Sequence, residues 1–208
     1  MTRYDFTTQP NRLNQNTMKW HEAESDPELL ELWVADMDFL PVPEIRDAVI
    51  NYAETHIFGY PYPSDELYQS IIDWEKNQHG YSVDKASIVL IEGVVPAIST
   101  AIQSFTKEDD AVLINTPVYP SFARSVRLNN RKLIENSLVK VNGHFEIDFE
   151  QLERDIVDND VKLYVFCSPH NPGGRVWTKE ELTMVADLCQ KHGVLLVSDE
   201  IHQDLALY

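Results

Sequence analysis

The sequence predicts an α/β fold in which a mostly parallel sheet lies between two layers of helices. From residue 88 onward, short apolar runs alternate with segments of helical periodicity, which is typical of βαβ units. Most of these runs are almost continuously apolar, as expected of strands that are buried on both faces. A chain of 208 residues with 43% hydrophobic residues is also large enough to bury a sizeable core.

The predicted strands are short and lie within the second half of the chain. The first, second, fourth and fifth are the most apolar, so we expect them to be central strands of the sheet. A further run at 138–141 is a possible extension of the third strand. In chain order the five predicted strands are 88–91, 111–114, 132–134, 163–167 and 194–198.

Helices are predicted at 43–55 and 64–79, on either side of an aromatic and proline-rich loop at 58–63. A crossover helix between the last two strands has clear ends. Thr178 and Glu181 have the spacing of a capping box, and Gly193 is a typical C-terminal stop. The chain is therefore expected to consist of an N-terminal arm at 1–42 and one α/β domain at 43–208. This domain is expected to be incomplete at its C-terminus, since no closing helix follows the last strand.

Composition narrows the classes of partner. The chain has 17 basic and 34 acidic residues and a net charge of −17, which disfavours nucleic acid because that affinity depends largely on Lys and Arg at phosphates. No apolar run approaches the roughly 20 residues that span a bilayer. Cys167 and Cys189 are too few for a disulfide framework or a metal site. We therefore expect a cytoplasmic protein with free thiols that binds small molecules or proteins.

A possible phosphate site follows the first predicted strand. Gly93 permits a tight turn, and Pro96 suits the first turn of a helix whose free backbone N–H groups attract an anion. Taken alone, this pattern is more often an ordinary connection between a strand and a helix.

Three further residues follow strands and are expected at the same edge of the sheet. Tyr119 could stack on a planar heterocycle, or it could be a core tyrosine in a proline turn. Asn171 could donate to a ligand oxygen, although Asn-Pro-Gly is also a common turn. Asp199 follows an apolar run, so its carboxylate needs either a local cation or a protonated ligand nitrogen. Together with the phosphate turn, these residues predict a pocket for a phosphorylated pyridine.

The motifs in this order resemble the pyridoxal-phosphate (PLP) enzymes of the aminotransferase class I and II superfamily. Within it, the chain is most similar to the MalY/PatB type of cystathionine β-lyase, a carbon–sulfur lyase branch. The resemblance covers essentially the whole chain but only the N-terminal half of such enzymes. It depends on residues 168–175 (SPHNPGGR), 198–202 (SDEIH), 33–39 (WVADMDF), 58–61 (FGYP) and 93–96 (GVVP).

The resemblance implies the PLP-dependent transferase fold and a role for each matching residue at the cofactor. Val94 and Val95 would offer backbone N–H groups to the phosphate, and Tyr119 would stack on the pyridine ring. Asn171 would hydrogen-bond the ring hydroxyl, and Asp199 would keep the pyridine nitrogen protonated.

The resemblance also implies roles outside these cofactor contacts. His202 would lie beside the ring hydroxyl, where transaminating relatives usually have Tyr, and Ala35 and Asp36 would line the substrate entrance. Tyr60 would reach the phosphate of a neighbouring subunit, which implies a homodimer. Asp199, His202 and Tyr119 are then the residues of this chain expected to act in catalysis. Residues 1–42 would include part of a small domain.

The expected activity is β-elimination from cysteine S-conjugates such as cystathionine, yielding a thiol, pyruvate and ammonia. The lysine that forms the imine with the cofactor is expected beyond Tyr208, together with the rest of the small domain. The 208-residue chain alone is therefore expected to be inactive. One alternative is an aminotransferase, against which His202 argues. Another is a non-catalytic or regulatory fragment.

Overall fold

The computed structural model describes residues 4–13, 15–26 and 28–206. The chain divides into two compact units, at residues 1–74 and 75–208. The predicted boundary between residues 42 and 43 stays a prediction, and the outer limits predicted for the two segments, residues 1 and 208, lie outside the described residues.

A parallel four-stranded sheet forms the centre of the second unit. Its spatial order is β2-β1-β5-β6, and every neighbouring pair is parallel. Two short strands form a separate antiparallel hairpin, β3 with β4. In chain order the strands are β1 Ala111–Thr116, β2 Lys132–Ser137, β3 Val139–Val141, β4 His144–Glu146, β5 Val161–Cys167 and β6 Leu195–Asp199.

Six α-helices are formed by the described residues, and the predicted capping residues define the last of them. Thr178 and Glu181 form both hydrogen bonds of a capping box, and Gly193 ends the helix in the left-handed conformation with φ of 66°. The helices are α1 Pro43–Thr55, α2 Asp65–His79, α3 Val94–Phe105, α4 Ser121–Leu128, α5 Phe149–Asp158 and α6 Lys179–His192.

Two apolar clusters cover the two faces of the sheet, which confirms the three-layer α/β/α prediction. Alternate side chains of β1 and β5 point to opposite faces, because the side-chain period of a strand is two residues. On one face, Leu113 and Tyr164 pack with α5 and α6. On the other face, Val112 and Leu163 pack with α3 and α4.

A buried hydrogen-bonded chain crosses from the sheet to α5. The Tyr164 hydroxyl donates to Asn115 Oδ1, and Asn115 Nδ2 donates to Asn136 Oδ1 at 3.0 Å. Asn136 Nδ2 then donates to Asp155 Oδ2 at 2.8 Å, and Asp155 also accepts from Gln151. Because every buried polar group in this chain of contacts has a partner, it stabilises the register of β1, β2 and β5.

Three strand predictions were wrong in part. Residues 88–91 form no strand, because they pair with no described strand, and Val89, Leu90 and Ile91 are exposed. The fifth predicted strand, β6, lies at the edge of the described sheet instead of its centre. The run at 138–141 does not extend β2 but contributes to the hairpin β3–β4. In each case the apolar pattern indicated that the segment can be buried. It did not indicate which strand the segment pairs with.

Among the described residues, we find no helix with both the length and the apolar character that a membrane span requires.

Candidate functional site

Three predicted site residues of the second unit lie at the carboxyl ends of its parallel strands. Tyr119 follows β1, Asn171 follows β5, and Asp199 is the last residue of β6. Because the strands are parallel, these ends lie at one edge of the sheet, where open α/β sheets bind their ligands.

Backbone hydrogen bonds connect the three segments. The N–H group of Tyr119 donates to the carbonyl oxygen of Asn171 at 3.1 Å. The N–H group of Ser168, just after β5, donates to the carbonyl oxygen of Asp199 at 2.9 Å. The structure therefore brings together the aromatic, amide and carboxylate residues that the sequence predicted as one site.

Asp199 is a buried carboxylate, with 7% of its surface exposed. Its Oδ1 accepts the N–H group of Ile201 at 3.1 Å. Within the described part of the chain, no Lys, Arg or His forms an ion pair with it. A buried carboxylate is costly without a cationic partner, so this geometry suits a protonated group supplied by a ligand.

The predicted phosphate turn lies at the start of α3. Gly93 precedes the helix with φ of 149°, and no side chain among residues 4–13, 15–26 and 28–206 caps the first turn. The N–H groups of Val94 and Val95 therefore have no side-chain acceptor there, and they lie at the positive end of the helix dipole. Val94 packs against the same apolar cluster as Val118 and Val197, and α3 contacts β5 and β6.

Tyr119 is positioned by α4. Its ring packs edge-on against the buried Phe122, with 6.3 Å between the ring centroids and 88° between the planes. The residue remains 42% exposed, so the alternative of a fully buried core tyrosine is wrong. An aromatic ring held at its edge and open to solvent suits stacking on a planar ligand.

His202 begins the short 3₁₀ turn Gln203–Leu205 after β6. Glu75 Oε1 accepts from Gln203 Nε2 at 3.0 Å, and His79 Nε2 lies 2.7 Å from Asp204 Oδ1. The turn that carries His202 is therefore attached to the C-terminal end of α2. The imidazole of His202 is partly buried and hydrogen-bonds no side chain that the structure describes.

The remaining predicted site residues belong to the first unit. Ala35 is exposed, Asp36 forms an ion pair with Arg12 at 2.7 Å, and Tyr60 is fully exposed. Their roles toward a substrate or a neighbouring subunit stay predictions.

The sequence analysis missed two residues that shape the Asn171 turn. Cys167 donates its thiol to the Pro169 carbonyl oxygen at 3.4 Å and accepts the Asn171 N–H group at 3.3 Å. Burial raises the pKa of this thiol, so it stays protonated as that donor. His170 is buried, and its Nδ1 accepts the N–H group of Gly173 at 3.2 Å. The available signal was their position in the sequence, since His170 lies within residues 168–175 and Cys167 directly precedes them.

Gly173 explains why the turn has glycine at this position. A Cβ atom there would lie 2.6 Å from Nδ1 of His170 and 3.0 Å from the ring of Phe145. The backbone of Gly173 and the buried imidazole therefore approach each other more closely than any side chain would allow.

We expect a pH dependence of stability from His170. Its burial, followed by the nearby Arg175 guanidinium, lowers its pKa from the usual 6.5. Below pH 6.5 the unfolded chain then binds more protons than the folded chain, so the free energy of unfolding falls as the pH falls. Carboxylates with lowered pKa values, such as Asp38, lose their contribution only below their usual pKa of 3.8.

The measurement is the melting temperature as a function of pH. The decrease below pH 6.5 should be smaller in His170→Gln than in the unsubstituted protein, and unchanged in the control His21→Gln, whose imidazole is exposed. Equal decreases in all three proteins would contradict the assignment to His170.

A parallel α/β domain with these groups at one sheet edge is typical of proteins that bind a phosphorylated cofactor there. The family model for aminotransferase class I and II matches residues 27–208, and the chain belongs to that family. It is 40% identical over 207 residues to the cystathionine beta-lyase PatB of Bacillus subtilis (strain 168), covering 98% of this chain and 54% of that protein.

Two further comparisons agree with this family. The chain is 34% identical over 179 residues to protein MalY of Escherichia coli (strain K12), covering 86% of this chain and 46% of that protein. A crystal structure of a PLP-bound putative aminotransferase from Clostridium difficile 630 superposes with a TM-score of 0.90 and 42% identity, covering 97% of this chain and 52% of that one. The chain thus spans about half the length of the curated relatives it matches.

Proposed function

We propose that the protein carrying this chain is a PLP-dependent carbon–sulfur β-lyase. It would release a thiol, pyruvate and ammonia from cystathionine or a similar cysteine S-conjugate. The observation that carries the proposal is the buried carboxylate of Asp199, which has no cationic partner among the described residues and lies at the same sheet edge as Tyr119 and Asn171. The likeness to the cystathionine beta-lyase PatB supports this reaction.

The groups at the sheet edge fit this cofactor. The backbone N–H groups of Val94 and Val95 would hold its phosphate, since the start of α3 has no side-chain cap. Asp199 would accept a hydrogen bond from the protonated pyridine nitrogen, and the Asn171 amide would donate to the ring hydroxyl. The exposed face of Tyr119 would stack on the ring, with His202 beside the hydroxyl.

When bound, PLP supplies an electron-accepting ring that stabilises negative charge at the α-carbon of an amino acid. Asp199 contributes by keeping the proton at the pyridine nitrogen, and its burial strengthens that interaction because little water screens it. Tyr119 and the α3 start would orient the ligand. In a β-lyase the negative charge at the α-carbon is removed when the thiol leaves from the β-carbon.

We further propose that the imine-forming lysine lies outside residues 1–208, so that this chain alone has no turnover. In support, Lys162 and Lys191 form ion pairs with surface carboxylates, and the buried Lys19 pairs with Asp38. The whole protein would be a cytoplasmic homodimer in which the exposed Tyr60 reaches the partner's phosphate site. The two buried free cysteines agree with a reducing compartment.

The decisive experiment supplies the purified whole protein with cystathionine and PLP, without any keto acid. We expect pyruvate, ammonia and a free thiol to accumulate over many turnovers, because elimination regenerates the starting form of the enzyme. Residues 1–208 alone should release none of them.

A transaminase, the alternative reading, would stop after one turnover for each site until a keto acid is added. L-alanine is the matched control substrate, because it has no leaving group on its β-carbon. A β-lyase should release no pyruvate from it. Restart of turnover only on addition of a keto acid would overturn the lyase proposal.

A further inference from the structure

A network of charged side chains connects the start of the chain to residues 34–38 within the first unit. Arg12 donates two parallel hydrogen bonds to Asp36, with Nη1 to Oδ1 at 3.0 Å and Nη2 to Oδ2 at 2.7 Å. Its Nη1 also donates to Asp38 Oδ1 at 2.7 Å. Lys19 Nζ donates to Asp38 Oδ2 at 2.6 Å and to the Asp36 carbonyl oxygen at 2.7 Å. Two cations therefore neutralise two carboxylates.

This network is not an ordinary surface ion pair. The side chains of Arg12, Lys19 and Asp38 are only 14%, 8% and 17% exposed, and Trp20 Nε1 donates a further hydrogen bond to Asp38 at 2.9 Å. Hydrogen bonds from Lys19 in particular lower the pKa of Asp38 to about 2. Asp38 is therefore ionised at neutral pH. The bidentate contact between Arg12 and Asp36 fixes geometry as well as adding energy.

The network holds Asp36, the residue next to Ala35, by its side chain and its carbonyl oxygen. The N–H group of Asp36 donates to the Val34 carbonyl oxygen at 2.8 Å, which makes Ala35 the central residue of a γ-turn. The carbonyl oxygen of Asp36 accepts from Lys19, and both of its carboxylate oxygens accept from Arg12. Every polar group of Asp36 therefore has a partner within the first unit, with 39% of its side chain exposed, and Ala35 is exposed at the apex of the turn.

We propose that Arg12 and Lys19 are positioning residues that hold the Ala35 turn for substrate binding, and that Asp36 is an anchor for Arg12 instead of a substrate contact. This inference rests on the proposed function and on the substrate role that the family resemblance predicts for Ala35. Arg12 and Lys19 then affect substrate affinity only by holding residues 34–36 in place.

The test is a double-mutant cycle in the whole protein, with Arg12→Gln, Asp36→Asn and the two combined. We expect each single variant to raise KM for the amino acid by about tenfold with kcat changed less than about threefold, because the lost contact positions a binding surface and not the reacting atoms. The double variant should be no worse than Arg12→Gln alone, since Arg12→Gln already removes the contact that Asp36→Asn removes.

Two further variants complete the design. Arg12→Lys keeps the positive charge but loses the planar guanidinium, so it should raise KM by an intermediate amount. It replaces Arg12→Gln in the test if that variant does not fold. The matched control is Arg46→Gln, whose guanidinium pairs with the exposed Asp47 and with no other side chain that the structure describes, and it should leave KM unchanged.

Additive effects of Arg12→Gln and Asp36→Asn would show that Asp36 meets the substrate directly and would overturn the inference. So would a lower melting temperature in the Arg12 variants with an unchanged KM. If the unsubstituted protein transaminates instead of eliminating, the proposed function fails. The same cycle, measured as KM for the amino acid in transamination, then still tests the positioning role.

Discussion

Asp199→Asn in the whole protein should lower kcat for β-elimination by about 10²-fold or more. The asparagine keeps the shape of the side chain and an oxygen that can accept the Ile201 N–H group, which Asp199 binds at 3.1 Å. It loses the negative charge, so the pyridine nitrogen is no longer held in its protonated state. That loss is felt most strongly when negative charge develops at the substrate carbon.

Cofactor affinity should change much less than kcat in Asp199→Asn, because the α3 start and Tyr119 are untouched. The affinity can be measured by titrating the cofactor-free protein with PLP and following fluorescence. Asp187→Asn is the matched control, since Asp187 is an exposed residue of α6. A near-normal kcat in Asp199→Asn would mean that Asp199 has only a structural role.

Phe122→Ala should lower the free energy of unfolding by about 3–5 kcal/mol. Phe122 is completely buried in the apolar cluster between the sheet and helices α3 and α4. Truncation removes the ring and leaves a cavity that the close-packed neighbours fill only in part. Because Tyr119 packs edge-on against this ring, its position at the sheet edge should also become less defined.

Urea unfolding of Phe122→Ala measures the effect, and Phe105→Ala is the matched control. Phe105 ends α3 and is 65% exposed, so its truncation should cost less than about 1 kcal/mol. Equal midpoints for the two variants would contradict the assignment of Phe122 to the central core.

The positions of the candidate site residues could be predicted from the sequence because each follows an apolar run. Tyr119, Asn171 and Asp199 all lie at the carboxyl ends of parallel strands, as expected. Local sequence also determined the ends of α6, since Thr178, Glu181 and Gly193 act within a few residues of one another.

The contacts that hold the site together could not be predicted in this way. The hydrogen bonds from Tyr119 to Asn171 and from Ser168 to Asp199 join segments that are distant in the chain. The thiol of Cys167 was predicted only as a free group, which is correct. Its contacts with the Asn171 turn depend on how residues 167–171 fold back on themselves.

The sequence by itself determined the alternation of strands and helices, the two-faced burial of β1 and β5, and the residues that follow each strand. Only the tertiary structure decided the order β2-β1-β5-β6, the edge position of β6 and the absence of a strand at 88–91. The physical reason is that hydrophobic periodicity records how well a segment can be buried, whereas strand pairing requires backbone hydrogen bonds to a particular distant segment. The network from Tyr164 through Asn115 and Asn136 to Asp155 has the same origin, because its members meet only after β1, β2 and β5 have paired.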